Sequence, residues 1–133
     1  IRDVFVAGRK FEYLKERMLG YEELMKLPVM CLEGNTSTRT YVEQFLVSKQ
    51  VTIRPEFELA TSDMLIQFAV RNLGIASVVR NFAVEHLKTG DLFELRFSEE
   101  IPARTFCIVA NERIPLSAAA ATLMNVLVQG TSQ

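Results

Sequence analysis

Short apolar runs alternate with amphipathic segments along this chain. Segments typical of buried or half-buried strands lie at 4–7, 29–32, 53–59, 75–79, 92–97 and 105–110. Segments with apolar residues at helical spacing lie between or after them, at 21–27, 36–49, 64–73, 82–88 and 116–128. Strands that alternate with helices predict an α/β fold with a mainly parallel sheet and helices on both of its faces.

Proline and glycine positions predict where several of these elements end. Pro28 stops the helix at 21–27, and Gly74 stands where helices commonly end in glycine, after the helix at 64–73. That helix is apolar on most sides, so we expect it to be largely buried. Pro55 has no backbone N–H to donate, so the strand at 53–59 is predicted to lie at an edge of its sheet.

Length and charge limit the classes of function. The chain has 133 residues, of which 49% are hydrophobic, which suits one domain, or one complete lobe plus part of another. Its 15 basic residues nearly balance its 16 acidic residues, and no basic patch is present, so these residues alone are not expected to bind DNA. No apolar stretch approaches the ~20 residues that span a bilayer, so no membrane association is predicted.

The residue types that carry catalysis are sparse. Cys31 and Cys107 both lie in apolar runs, where an inert buried thiol is favoured over a disulfide or redox pair. His86, the single histidine, follows Glu85 in a short surface helix and lacks nearby partners for proton transfer. The sequence contains no nucleophile elbow, no phosphate-binding glycine loop and no metal-spaced Cys/His cluster. It predicts neither an enzyme nor a cofactor or metal.

One polar corner is a candidate ligand site. It follows the strand at 29–32 and opens a helix, where unpaired backbone N–H groups and the helix dipole favour anions. Backbone amides, hydroxyls and one cation occur there together, in Asn35, Thr36, Ser37, Thr38 and Arg39. These groups suit the carboxylate of a small ligand. Simple helix capping by the hydroxyls remains the alternative.

A second corner follows the strand at 53–59. Thr61 and Ser62 open the next helix, and parallel pairing of the two strands would place them at the same end of the sheet as the first corner. Capping is the favoured role for these two residues, although a ligand group near Thr61 is also compatible with this position.

Several stretches of the sequence resemble LysR-type transcription regulators. The helix-to-strand segment 62–76, with its Gly-Ile-Ala strand start, resembles that family, as do the turn at 86–92, the entry 27–29 and the C-terminal helix 117–127. The family often has a proline after the Gly-Ile-Ala strand, where this chain has Val79 and Arg80. The resemblance therefore does not predict the path of the chain at these two residues.

The resemblance implies a two-lobed fold like that of type 2 periplasmic binding proteins. Residues 9–104 would form the complete second lobe, and residues 1–8 a hinge strand from the first lobe. Residues 105–133 would supply the return hinge strand and C-terminal helix of a first lobe that is only partly present. The rest of that lobe and a winged helix-turn-helix would lie upstream of Ile1.

The same resemblance implies a cytoplasmic regulatory domain that holds a small anionic effector between its lobes and is not an enzyme. It also implies a homodimer or tetramer that contacts DNA only through the missing N-terminal domain. The helix at 38–49 and the strand at 53–59 are the expected dimer contacts of this half, and exposure of Phe45 or Leu46 would be a clue. Packing of both residues inside their own lobe is equally compatible with the sequence.

Two other functions are compatible with the same fold. The first is a fragment of a periplasmic solute-binding protein of a transporter, which an upstream export signal would indicate. The second is an enzyme, whose turnover would have to depend on a residue such as His86 or Asp63.

Overall fold

A five-stranded sheet forms the centre of the protein. The computed structural model describes residues 1–105, 120, 122–123 and 125–127. The five strands are β1 (Asp3–Ala7), β3 (Val29–Leu32), β4 (Phe57–Leu59), β5 (Ile75–Val79) and β6 (Phe93–Glu94). They are arranged in the order β4-β3-β5-β1-β6. Two short strands, β2 (Met18–Leu19) and β7 (Arg96–Phe97), pair in a small second sheet.

Helices cover both faces of the large sheet, as predicted. The α-helices are α1 (Ser37–Ser48), α2 (Ser62–Val70) and α3 (Val84–Thr89), and 3-10 turns occupy Arg9–Leu14, Tyr21–Lys26 and Arg80–Ala83. Val42 and Leu46 of α1 belong to one apolar core, whereas Leu65 and Ile66 of α2 belong to a second core on the other face. The α/β prediction is therefore confirmed.

The sheet is mixed, because β1 runs against its neighbours. β3 is parallel to β4 and to β5, but β1 is antiparallel to both β5 and β6. The start of β1 lies beside the end of β5, with Asp3 opposite Val79. β1 thus enters the sheet at the edge where β3, β4 and β5 end, a direction that the alternation of elements does not reveal.

Most strands lie where the sequence predicts them. β1, β3 and β5 match three apolar runs, and β4 is an edge strand, as Pro55 predicts, although pairing begins at Phe57. The predicted strand at 92–97 is divided in two. Leu95 N–H donates to Phe5 O (2.8 Å) between the two pieces, after which the chain leaves β1 to pair with β2.

Asn72, and not Gly74, provides the left-handed residue that ends α2. The φ angle of Asn72 is 63°, and Leu73 N–H donates back to Phe68 O. Gly74 is required for a different reason, since a Cβ there would lie 2.6 Å from Pro28 O. The prediction of Gly74 as the helix-ending residue is therefore wrong.

Three helical predictions are partly wrong. The segment 21–27 forms a 3-10 turn, and the α-helix within 82–88 begins at Val84 after another 3-10 turn. α2 is buried on one face, but Met64 and Gln67 on another face are exposed.

Other predictions lie largely outside the described residues. These include Cys107 and, apart from Thr105, the strand at 105–110. The helix predicted at 116–128 is described in part, and its described positions are helical, with exposed Leu123, Val126 and Leu127.

Candidate functional site

The two polar corners meet at one edge of the sheet. β3 and β4 are parallel, and their last residues, Leu32 and Leu59, are paired. The N–H of Glu33 donates to Leu59 O (3.0 Å), which connects the two loops that follow these strands. The structure therefore places residues 35–39 and residues 61–62 at the same end of the sheet, as parallel pairing predicts.

Thr36 and Thr61 cap the helices that follow them. The Thr36 hydroxyl oxygen accepts the N–H of Arg39 (3.2 Å) and donates to Glu33 O (3.1 Å). The Thr61 hydroxyl oxygen accepts the N–H of Met64 (3.2 Å). Capping thus occupies both hydrogen-bonding functions of Thr36 and one function of Thr61.

Three predicted site residues keep their polar groups free within the described part of the chain. Asn35 and Ser37 are exposed, and Ser62 is half-buried at the start of α2. The side chains of these residues make no hydrogen bond to another described residue. Together with the N–H groups at the start of α1, they offer donors at this edge.

Arg39 has its charge balanced by carboxylates. Its Nε donates to Glu43 (2.7 Å), and its Nη1 donates to Glu58 (2.6 Å) and to Leu32 O (3.2 Å). Burial alone would lower the pKa of the guanidinium, but the hydrogen bonds to Glu58 and Glu43 raise it above its ordinary value. In the structure Arg39 joins α1 to the edge strand β4.

Thr38 belongs to a partly buried polar cluster that the sequence does not predict. Arg104 binds the Asp3 carboxylate with two hydrogen bonds, Nε to Oδ2 (2.8 Å) and Nη2 to Oδ1 (2.9 Å). The same Nη2 donates to the Thr38 hydroxyl oxygen (2.9 Å). Hydrogen bonding to Asp3 raises the pKa of Arg104 and outweighs the effect of burial. An acidic residue directly before an apolar run was the available signal, since a buried carboxylate requires a partner.

A larger groove lies along β1. Its volume is about 510 Å³, and its walls include Met18, Tyr21, Phe97 and an ionic network. In that network Arg2 pairs with Glu94 and Glu100, and Arg80 pairs with Glu94. No predicted site residue lines this groove, whereas Thr38 and Arg39 line a cavity of about 20 Å³ under α1. The corner therefore offers an open edge and little enclosed space.

Reactive groups in the described residues are isolated. Burial raises the pKa of the Cys31 thiol to about 11, with a smaller lowering effect from Arg39, so Cys31 is an unreactive core residue. His86 Nδ1 lies 3.5 Å from Asp91 Oδ2 on the surface. No group of three or more His, Cys, Asp or Glu among these residues suits a metal, and no helix among them is long and apolar enough to cross a membrane.

Known structures share this fold. The regulatory domain of CcmR from Synechocystis PCC6803, in complex with 2-PG, superposes with a TM-score of 0.74 at 17% identity, over 98% of this chain and 62% of that one. The effector binding domain of QuiR in complex with shikimate gives a TM-score of 0.68 at 9% identity, over 93% of this chain and 58% of that one. At these identities the likeness establishes a common fold, that of effector-binding domains with a periplasmic-binding-protein-like architecture.

Sequence comparisons identify the family of the chain. The HTH-type transcriptional activator CmpR of Synechocystis sp. PCC 6803 is 27% identical over 73 residues, which is 55% of this chain and 24% of that protein. The chain thus spans about a quarter of that relative's length. The family described as LysR substrate binding domain matches residues 2–132. Because that match includes nearly every residue, the chain belongs to the LysR substrate binding domain family.

Proposed function

We propose that this chain is the effector-sensing part of a LysR-type transcription regulator and binds a small anionic metabolite where β3 and β4 end. The observation that carries the proposal is the convergence of two helix N-termini and several polar side chains at this edge. Ligands of open α/β sheets bind beyond the carboxyl ends of the strands, and the proposed location agrees with this rule.

Neutral donors would bind the effector's anionic group. Arg39 already satisfies Glu43 and Glu58, so the N–H groups of the first turn of α1 and the side chains of Asn35, Ser37 and Ser62 are the available donors. QuiR is solved with shikimate, a carboxylate, and CcmR with 2-PG. Ligands as small as shikimate and 2-PG would suit the end of β3 and β4 if a second lobe closed over it.

The lobe boundaries remain those that the family resemblance implies. Residues 9–104 would form the second lobe, with 1–8 and 105–133 connecting it to the first. Ile1 and Arg104 exchange two backbone hydrogen bonds, Ile1 N to Arg104 O (2.8 Å) and Arg104 N to Ile1 O (2.9 Å). This antiparallel pair supports a crossing point at these residues. β1 itself is buried within the sheet, so we place the crossing at residues 1–2, directly before β1.

The remaining assignments concern the whole protein. It would act in the cytoplasm as a homodimer or tetramer and bind DNA through a winged helix-turn-helix outside this chain. Leu46 is buried and Phe45 packs against Tyr21, so neither offers the exposed contact considered from the sequence. Val47 and Phe57, which are 62% and 38% exposed, are the apolar groups that α1 and the edge strand β4 present to a partner.

Calorimetric titration of the full-length protein with a panel of small carboxylates and phosphates, including shikimate and 2-PG, tests the proposal. At least one compound should bind, and the double variant Ser37→Ala/Ser62→Ala should weaken its binding by about tenfold, because two donors are lost. Thr89→Val, an exposed change at the end of α3, is the matched control and should leave affinity unchanged. Absence of binding across the panel, or equal affinity of the double variant, would contradict the proposal.

A further inference from the structure

One face of α1 holds the segment 99–104 along the length of the helix. Near its start, the Thr38 hydroxyl accepts a hydrogen bond from Arg104. One turn later, the Tyr41 hydroxyl donates to Pro102 O (2.7 Å). At the far end, Lys49, the residue directly after α1, forms an ion pair with Glu99. α1 and Lys49 therefore contact the segment 99–104 at three points.

The Asp3–Arg104 pair connects this assembly to β1. Asp3 is only 4% exposed, and both of its carboxylate oxygens accept hydrogen bonds from Arg104. The Tyr41 ring lies 5.2 Å from the guanidinium carbon. Nη2 of Arg104 serves both Asp3 and Thr38, so a change in one contact alters the other.

The backbone reinforces the same junction. Ile1 and Arg104 exchange two backbone hydrogen bonds, and Arg80 N–H donates to Arg2 O (2.8 Å) at the end of β5. Residues 1 and 2 are therefore held on one side by the end of β5 and on the other by the segment 99–104. A bidentate, largely buried ion pair of this kind has strict geometry, which suits a rigid junction.

We propose that Asp3, Arg104, Thr38 and Tyr41 form a clamp that makes α1 and the segments 1–3 and 99–104 move as one rigid body. Bending between lobes would then leave the contacts of this clamp intact. Any ligand that displaces α1 would displace the segments 1–3 and 99–104 with it. The inference goes beyond effector sensing, and its test requires no effector.

Hydrogen exchange of the ligand-free full-length protein tests the clamp. Tyr41→Phe removes a contact to Pro102 and leaves Asp3 and Arg104 in place. If the body is rigid, exchange should increase about tenfold both at 101–104 and, across the clamp, at residues 2–4, where β1 begins. Arg104→Lys should have the same effect at 2–4 and also at 41–42 of α1, because lysine cannot reproduce the bidentate contact.

Arg39→Lys is the matched control. Arg39 and Arg104 have the same side-chain exposure, 12%, and each is paired with carboxylates, but Arg39 contacts the edge strand β4. This variant should increase exchange near β4 and leave residues 2–4 unchanged. If Arg104→Lys fails to fold, the double variant Asp3→Asn/Arg104→Gln, which leaves no buried charge unpaired, replaces it. Exchange that increases only beside each substituted residue would overturn the proposal.

Discussion

Arg39 on α1 donates a 2.6 Å hydrogen bond to Glu58 on β4, 19 residues later in the chain. Arg39→Gln should lower the free energy of unfolding, because the ion pairs are lost. The decrease should be only about 1 kcal/mol, because the exposed carboxylates recover part of their solvation. Urea unfolding at neutral pH without ligand measures this. An unchanged midpoint would show that the pair does not hold the edge strand.

The Arg39–Glu58 pair also shows which contacts the sequence cannot predict. The residues Thr36 to Arg39 are recognisable as a helix start, and parallel strands predict that they meet Thr61 and Ser62. The partners of Arg39 are not predictable, because Glu58 reaches it only through strand register. The pairing of Asp3 with Arg104 is also not predictable, because these residues are 101 positions apart and only the fold brings them together.

The pattern of apolar and polar residues also fails to predict details of the backbone. A glycine after an apolar helix suggests a helix end, yet the left-handed position falls on Asn72. The tight approach of Gly74 to Pro28 depends on how closely β3 and β5 start together, with Val29 beside Ile75. Apolar periodicity specifies which residues are buried, but it carries no information about such close contacts.

Gly74→Ala should therefore destabilise the protein. The new Cβ would lie 2.6 Å from Pro28 O and 2.9 Å from Met30 Cγ, and relief requires backbone movement between two buried strands. We expect a loss of about 2 kcal/mol in the free energy of unfolding, measured by urea denaturation. Gly34→Ala is the control, since its nearest contact is 3.6 Å away, and it should change stability by less than about 0.5 kcal/mol. Equal effects of the two changes would contradict this reasoning.

Ionisation of the Tyr21 phenol should destabilise the protein at alkaline pH. Burial, followed by the nearby charges of Glu99 and Glu100, raises the pKa of its phenol from 10.0 to about 12. The folded state holds this proton more tightly than the unfolded state, so the stabilisation is fully present below pH 10 and is lost as pH rises towards 12.

Tyr21→Phe tests that dependence. The variant should be less stable at pH 9 by about 1 kcal/mol, because the hydrogen bond to Glu99 O is lost. Its stability should also fall less steeply than that of the wild type between pH 10 and 12, as followed by urea unfolding at several pH values. Parallel pH profiles for the two proteins would argue against a raised pKa.

Cys31 should resist alkylation. Its pKa of about 11 leaves little thiolate at pH 8, and the side chain is buried under α1. In a Cys107→Ser variant, iodoacetamide should modify Cys31 at least ~100-fold more slowly than free cysteine. The rate should increase with pH towards 11. Mass spectrometry of the intact protein follows the reaction, and rapid modification at pH 8 would refute the assignment of an inert core thiol.

The location of the effector is tested most directly by hydrogen exchange of the full-length protein with and without the tightest-binding compound from the carboxylate and phosphate panel. We expect this compound to slow exchange in residues 34–39 and 60–63, where β3 and β4 end. Slower exchange confined to residues 94–101, beside the groove that Arg2, Arg80 and Glu94 line, would show that the effector does not bind at this end of the sheet.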